Sequence, residues 1–255
     1  MYSTHTSFRQ PADVGVRLWR YMDTSKYLAL LQDSALFFSR ADLLGDPFEG
    51  SLPIPNAERL RRAHAIRSVI GSPFAGMSEE AAKTLRVDMS RFRKENRLSA
   101  FINCWHQNDV ESVAMWSLYG KANESICITT TFEKLGAVLP SLSHLGLVRY
   151  LRYELEGIDE ESAFNFFMTK RASFAHEQEV RSIIWTGSPA FKKQNNLIST
   201  GVGIKVPINL DALVSDVFVN PTAPEWYREL VENVSRRYGL ERTIRRSSLS
   251  DDPVF

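Results

Sequence analysis

Apolar residues recur at every second position in some stretches and at every third or fourth in others, and the two periods interleave irregularly. Residues 16–22 (VRLWRYM) alternate as a strand. Behind Asp23 and Thr24, either of which supplies a capping oxygen, SKYLALLQ sets Tyr27, Leu28, Leu30 and Leu31 on one helical face. ALFFS (35–39) predicts a second strand, and RADLLGDPFEG then reads as a turn-rich connection in which Asp46-Pro47 imposes extended or turned backbone. Helices are expected at about 56–70 and 78–96, broken by GSPFAG. Strand character returns at 99–105, and Asp109 is positioned to cap a helix that buries Val113, Met115, Trp116 and Tyr119 and ends at Gly120. Further strands are expected at 125–132, 145–154, 180–185, 201–206 and 214–219, with an edge strand at 240–246. Helices are expected at 133–139, at 160–175, and behind a Thr222 cap with Pro224 in the first turn and Gly239 at the end. Such interleaving predicts an α+β fold: a mixed, largely antiparallel sheet with helices packed on it, in a single domain covering 1–255.

Charge singles out one segment. Residues 59–97 carry ten Lys or Arg against four acids, in a chain whose net charge is +1. We read 56–97 as a basic helical insertion: a solvated face, or a docking surface for an acidic or nucleic-acid partner that lacks the interleaved aromatics needed to read bases. Cys104 and Cys127 sit in apolar strands without metal-ligand spacing, which predicts reduced thiols and a cytoplasmic setting. No run of 18 apolar residues occurs, so no membrane partner is expected. The five histidines are scattered, and the glycine-rich phosphate loops, HExxH, GxSxG and paired CxxC are absent.

Candidate chemistry concentrates in 170–185 (KRASFAHEQEVRSIIW). The period changes from helical to strand-like near His176, and a strand there would put Glu177, Glu179 and Arg181 on one face. Two carboxylates and a guanidinium at the mouth of an apolar strand are costly without partners or a purpose. Either they form an ion-pair network that pins the strand, or they carry chemistry. Asp46 and Glu49, flanking Pro47-Phe48, are candidates for ligand contact from the adjoining loop.

The ordered set WRYM, LFFS with DPFE, a strand ending in CW, AMWSLYG with SICI, the Lys170…Glu177-x-Glu179-x-Arg181 run and VPINLDALVSDVFVNP resembles the bacterial domain-of-unknown-function family 2971 over nearly the whole chain. That family has asparagine where Gly45 precedes Asp46 and serine where His106 follows Trp105; it implies no activity. A second, weaker resemblance is to mono-ADP-ribosyltransferases, through Arg20 and Tyr21 on the first strand, Ser39 on the next and a later Glu-x-Glu strand. It implies nicotinamide adenine dinucleotide as the bound dinucleotide and Glu179 as the stabiliser of positive charge at the ribose. Glu177 would act on the acceptor, Arg20 would meet phosphates, Tyr21 and Trp116 would stack, and Ser39, Asp46, Glu49 and Arg181 would complete the site. Two other classes stay open: a magnesium-dependent nuclease built on Asp46, Glu49, Glu177, Glu179 and Lys170, and a binding or sensor module without catalysis.

Overall fold

The computed structural model describes residues 2–65, 74–120, 123–187, 191, 197–251 and 253. Its strands are β1 (Arg17–Asp23), β2 (Ala35–Arg40), β3 (Ala100–Gln107), β4 (Ser125–Thr131), β5 (Ser143–Leu147), β6 (Arg149–Leu151), β7 (Thr169–Arg171), β8 (Glu179–Trp185), β9 (Ile198–Ser199), β10 (Gly203–Pro207), β11 (Val217–Val219) and β12 (Ile244–Arg246). The helices are α1 (Thr24–Asp33), α2 (Ile54–Ala65), α3 (Glu79–Ser99), α4 (Val113–Tyr119), α5 (Phe132–Val138), α6 (Leu210–Leu213) and α7 (Glu225–Arg237). Ten of the strands form one mixed, mostly antiparallel sheet on which the helices pack, so the fold is α+β. Its main path runs β12-β11-β4-β1-β3-β2-β10-β9, and β8 joins β3 to β5.

The centre of this sheet is forked. β3 gives one edge to β8 over seven register pairs, from Ala100↔Trp185 to His106↔Glu179. Its other edge is shared: β1 pairs at Leu18↔Gln107 and Trp19↔His106, whereas β2 pairs at Ser39↔Ile102 and Arg40↔Phe101. β1 and β2 therefore splay apart around Asn103–Trp105. Side chains bridge the opening. Asn103 Nδ2 donates to the Phe37 carbonyl at 2.8 Å, and Trp105 Nε1 donates to Asn103 Oδ1 at 2.7 Å.

Period-2 alternation sorts the side chains to two faces. Leu18, Met22, Phe38, Trp105, Val180 and Ile184 enter the main core with Tyr27, Leu30 and Leu31 of α1 and Tyr227 and Val231 of α7. The opposite face carries two smaller apolar clusters, one around Ile102, Phe166–Met168 and Ile183, the other around Trp19, Tyr21, Trp116 and Phe218. Each fully buried large side chain contributes about 1.5–3 kcal/mol by leaving water, so both faces stabilise the sheet.

Several expected boundaries move. The helix expected at 160–175 is instead a 3-10 turn (Ala163–Phe166), the strand β7 and a second 3-10 turn (Ala172–Glu177). Phe166, Phe167 and Met168 are all buried, which one face of a regular helix cannot achieve. The single strand expected at 145–154 is two, β5 and β6, and β6 pairs in parallel with β7. Ser112, not Asp109, caps α4, accepting from the Met115 amide at 3.3 Å. Thr222 does not cap α7; its amide and hydroxyl donate to Asn220 Oδ1 at 3.0 and 2.8 Å, and Pro224 stands at the helix start. The expected edge strand at 240–246 narrows to β12, parallel to β11. Positions 66–70 of the first insertion helix and 71–73 of its GSPFAG break lie outside the described residues. No described helix is long and apolar enough to cross a membrane.

Candidate acid–base site

A tight local path builds the site. β7 carries Lys170 inward, the 3-10 turn returns the chain to Glu177, and Gln178 adopts a left-handed conformation (φ 39°) before β8 opens at Glu179. Glu177 is thus beside the strand rather than on it, and the expectation that it shares a strand face with Glu179 and Arg181 does not hold. The left-handed residue, unusual for a non-glycine, is what turns both carboxylates toward one ammonium. Register fixes the turn, because the Gln107 amide donates to the Gln178 carbonyl at 2.9 Å and His106 Nδ1 donates to the Glu177 carbonyl at 2.6 Å.

Lys170 Nζ contacts Glu177 Oε2 and lies 2.5 Å from Glu179 Oε1. Arg181 Nε meets Glu179 Oε2 at 2.5 Å, and the same guanidinium forks onto Glu49 at 2.5 and 3.0 Å and onto the Phe167 carbonyl at 2.7 Å. All five side chains are at most 8% exposed. Three carboxylates therefore face two cations away from water, and the imbalance is relieved most cheaply by one carboxyl keeping its proton. That carboxyl is Glu177. Burial, then the hydrogen bond and charge of Glu179, push it up to about 7 against the pull of Lys170. Glu179 is driven the other way: burial opposes its charge, but Arg181, Glu177 and Lys170 hold it well below the usual range. Lys170 and Arg181 stay charged, since the carboxylates outweigh their burial. For Glu49, burial raises the carboxyl above its ordinary value, with Arg181 pulling against it through a bidentate contact.

Around this cluster, the Tyr119 hydroxyl donates to Glu177 Oε1 at 3.1 Å, and Tyr119 is itself 42% exposed. The Tyr150 hydroxyl accepts from the Glu179 amide at 2.7 Å. His106, 2% exposed, spends its Nδ1 proton on Glu177, so its Nε2 lone pair is buried without a partner; burial also lowers its pKa. Outside lies a cationic and aromatic rim, in which the Arg171 guanidinium sits 4.2 Å from the Phe48 ring and 5.2 Å from Phe174, and Lys170 Nζ is 4.6 Å from Phe174.

The candidate residues divide accordingly. Glu49, Glu177, Glu179 and Arg181 meet directly, and Asp46 joins at the margin, accepting from Arg171 at 2.8 Å and from the Phe48 amide at 3.0 Å. Tyr21 shares the site's face of the sheet, its ring 6.2 Å from His106 and its hydroxyl accepting from the Ser112 amide at 3.0 Å. Trp116 is 3% exposed and packs edge-on against Tyr21 at 4.9 Å, inside an apolar cluster. Ser39 lies opposite Ile102, and the hydrogen bond described for its hydroxyl is to the Arg40 carbonyl at 3.5 Å. Arg20, next to Tyr21 on β1, points through the other face, 5.6 Å from the Trp105 ring. Adjacent strand residues cannot both line one site.

Sequence reasoning passed over Tyr150, Arg171 and Phe174, and treated Tyr119 as core; the only signal for Arg171 and Phe174 was proximity to Lys170. Cys104 faces the cluster, but burial pushes its thiol far up and leaves it un-ionised. Among the described residues, no group of three or more His, Cys, Asp or Glu side chains is arranged to hold a metal ion. No family model matches the chain, and no curated protein and no solved structure is similar to it.

Proposed function

We propose that the chain is a group-transfer enzyme resembling mono-ADP-ribosyltransferases, with nicotinamide adenine dinucleotide as its donor substrate. The observation that carries the reading is the opposed protonation of Glu177 and Glu179 on one lysine. Two carboxyls pushed apart in this way divide into a fixed charge and a proton carrier. Glu179, ionised and held on a strand, is suited to stabilise positive charge developing at a sugar carbon. Glu177, titrating near neutrality, is suited to take the acceptor's proton. The buried, unpartnered His106 Nε2 and Arg171 Nε are polar atoms that a bound molecule would satisfy, and Phe48 and Phe174 offer ring faces beside cations. Arg20 has no part in this reading. A cytoplasmic setting belongs to the same proposal, supported by the free thiols of Cys104 and Cys127.

The magnesium-nuclease alternative has less support, because among the described residues no group of three or more His, Cys, Asp or Glu side chains is arranged to hold a metal ion. A binding module has one specific observation in its favour: every guanidinium nitrogen of Arg181 is satisfied internally, as in a purely structural ion network. Calorimetric titration with the dinucleotide, with and without magnesium, beside an assay for nicotinamide release, separates them. Metal-independent binding, with release abolished in Glu179→Gln, is expected. No binding to the folded parent, with Glu179→Gln merely less stable, would return the cluster to a structural role.

A further inference from the structure

Ser90, Arg93, Lys94 and Arg97 follow one another at i, i+3, i+4 and i+7 and so form one stripe of α3. The stripe faces the loop that follows Glu49, and a cleft of about 240 Å³ lies between them. Gly50 permits the approach. Its φ is +71°, and a Cβ there would stand 2.7 Å from the Phe167 ring and 3.2 Å from Arg97 Cγ.

Positive charge in this cleft is only partly compensated. Arg93 is tied to Glu160 at 3.1 Å, whereas Lys94 and Arg97 have no ion pair or hydrogen bond among the described residues, although the Arg97 charge helps to hold down the Asp42 carboxyl, which Arg40 pairs. Arg97 Nε and Ser51 Oγ are moreover buried without partners. Glu49 reaches the same cleft, but both of its oxygens are held by Arg181. Two cations without an ion pair among the described residues, with guanidinium and hydroxyl donors converging on one recess, match a dianion with several acceptor oxygens. The volume lies just under the range for drug-sized ligands, and among the described residues no aromatic side chain lines the recess to stack a base.

We propose that this cleft binds a small phosphomonoester dianion, gripped by Arg97 and Lys94 with Ser51 and Ser90 as hydroxyl partners. The site is separate from the Glu177–Glu179 pair and stands whether or not that pair is catalytic.

The test is calorimetric titration of the whole chain with inorganic phosphate at low ionic strength in a chloride background. Saturable binding is expected, weakened by about 10- to 100-fold in Arg97→Gln and also weakened in Lys94→Gln, whose side chain is exposed and whose loss leaves the fold intact. Arg91→Gln, a control at an exposed position, should bind as the parent does. Absence of saturable binding by the folded parent overturns the proposal, as does equal binding by the parent and both stripe variants. Binding of a single-stranded oligonucleotide without binding of inorganic phosphate also overturns it, and would assign the stripe to a nucleic-acid backbone instead.

Discussion

At the scale of single residues, Glu177 and Glu179 give the fold opposite pH dependences. Native Glu177 keeps its proton up to about pH 7, whereas an unfolded glutamate loses it near 4.5, so between those values the native state binds more protons and stability falls as pH rises. Glu179 works in reverse: its contribution is present above its unfolded pKa and is lost as acid protonates the native carboxylate. Thermal unfolding followed from about pH 3 to about pH 8 should therefore show a declining limb between pH 4.5 and 7 that Glu177→Gln flattens. An unchanged slope in that variant would remove Glu177 as its source.

At the scale of elements, Arg181 joins three of them, leaving β8 to grip Glu49 of the loop before α2 and the Phe167 carbonyl behind the 163–166 turn. Arg181→Met leaves Glu49 and Glu179 buried with too few cations and is expected to cost about 3–5 kcal/mol in denaturant unfolding. Adding Glu49→Met should recover part of that loss, and failure to recover any would show that packing, not charge, dominates there. The sequence made some elements legible and hid others for physical reasons. α1 and α7 bury one face against one core, so their apolar spacing is read directly. The stretch from Ser162 to Glu177 buries consecutive residues in two surroundings, and aromatic spacing there imitates a helix. The Glu177–Glu179 meeting was visible as a local charge run, and Glu49 as an acid in a tight loop. The inward turn of Lys170 depends on pairing with β6, and the loss of Arg20 to the far face depends on which side of β1 the main core occupies.

At the scale of the whole molecule, the forked sheet relies on Asn103 of β3, which is 1% exposed, donates across the fork to the Phe37 carbonyl of β2 and accepts from the Trp105 indole. Asn103→Ala leaves the buried Trp105 indole N–H unpaired and the Phe37 carbonyl with only the longer contact from Arg20 at 3.5 Å, with an expected cost of about 1–3 kcal/mol in chemical denaturation; a loss near zero would mean that the fork closes without its bridge. The pairings that complete the sheet also span most of the chain. β1 waits for β4, β4 for β11, and the Tyr27 hydroxyl meets Ser235 Oγ across 208 residues. A chain emerging from the ribosome thus holds β4 without its β11 partner until residues 217–219 are made, and Tyr27 without Ser235 until the last helix follows. Closure of the core is a late, long-range event, slow by topology, during which the open edge of β4 is the surface a chaperone would shield.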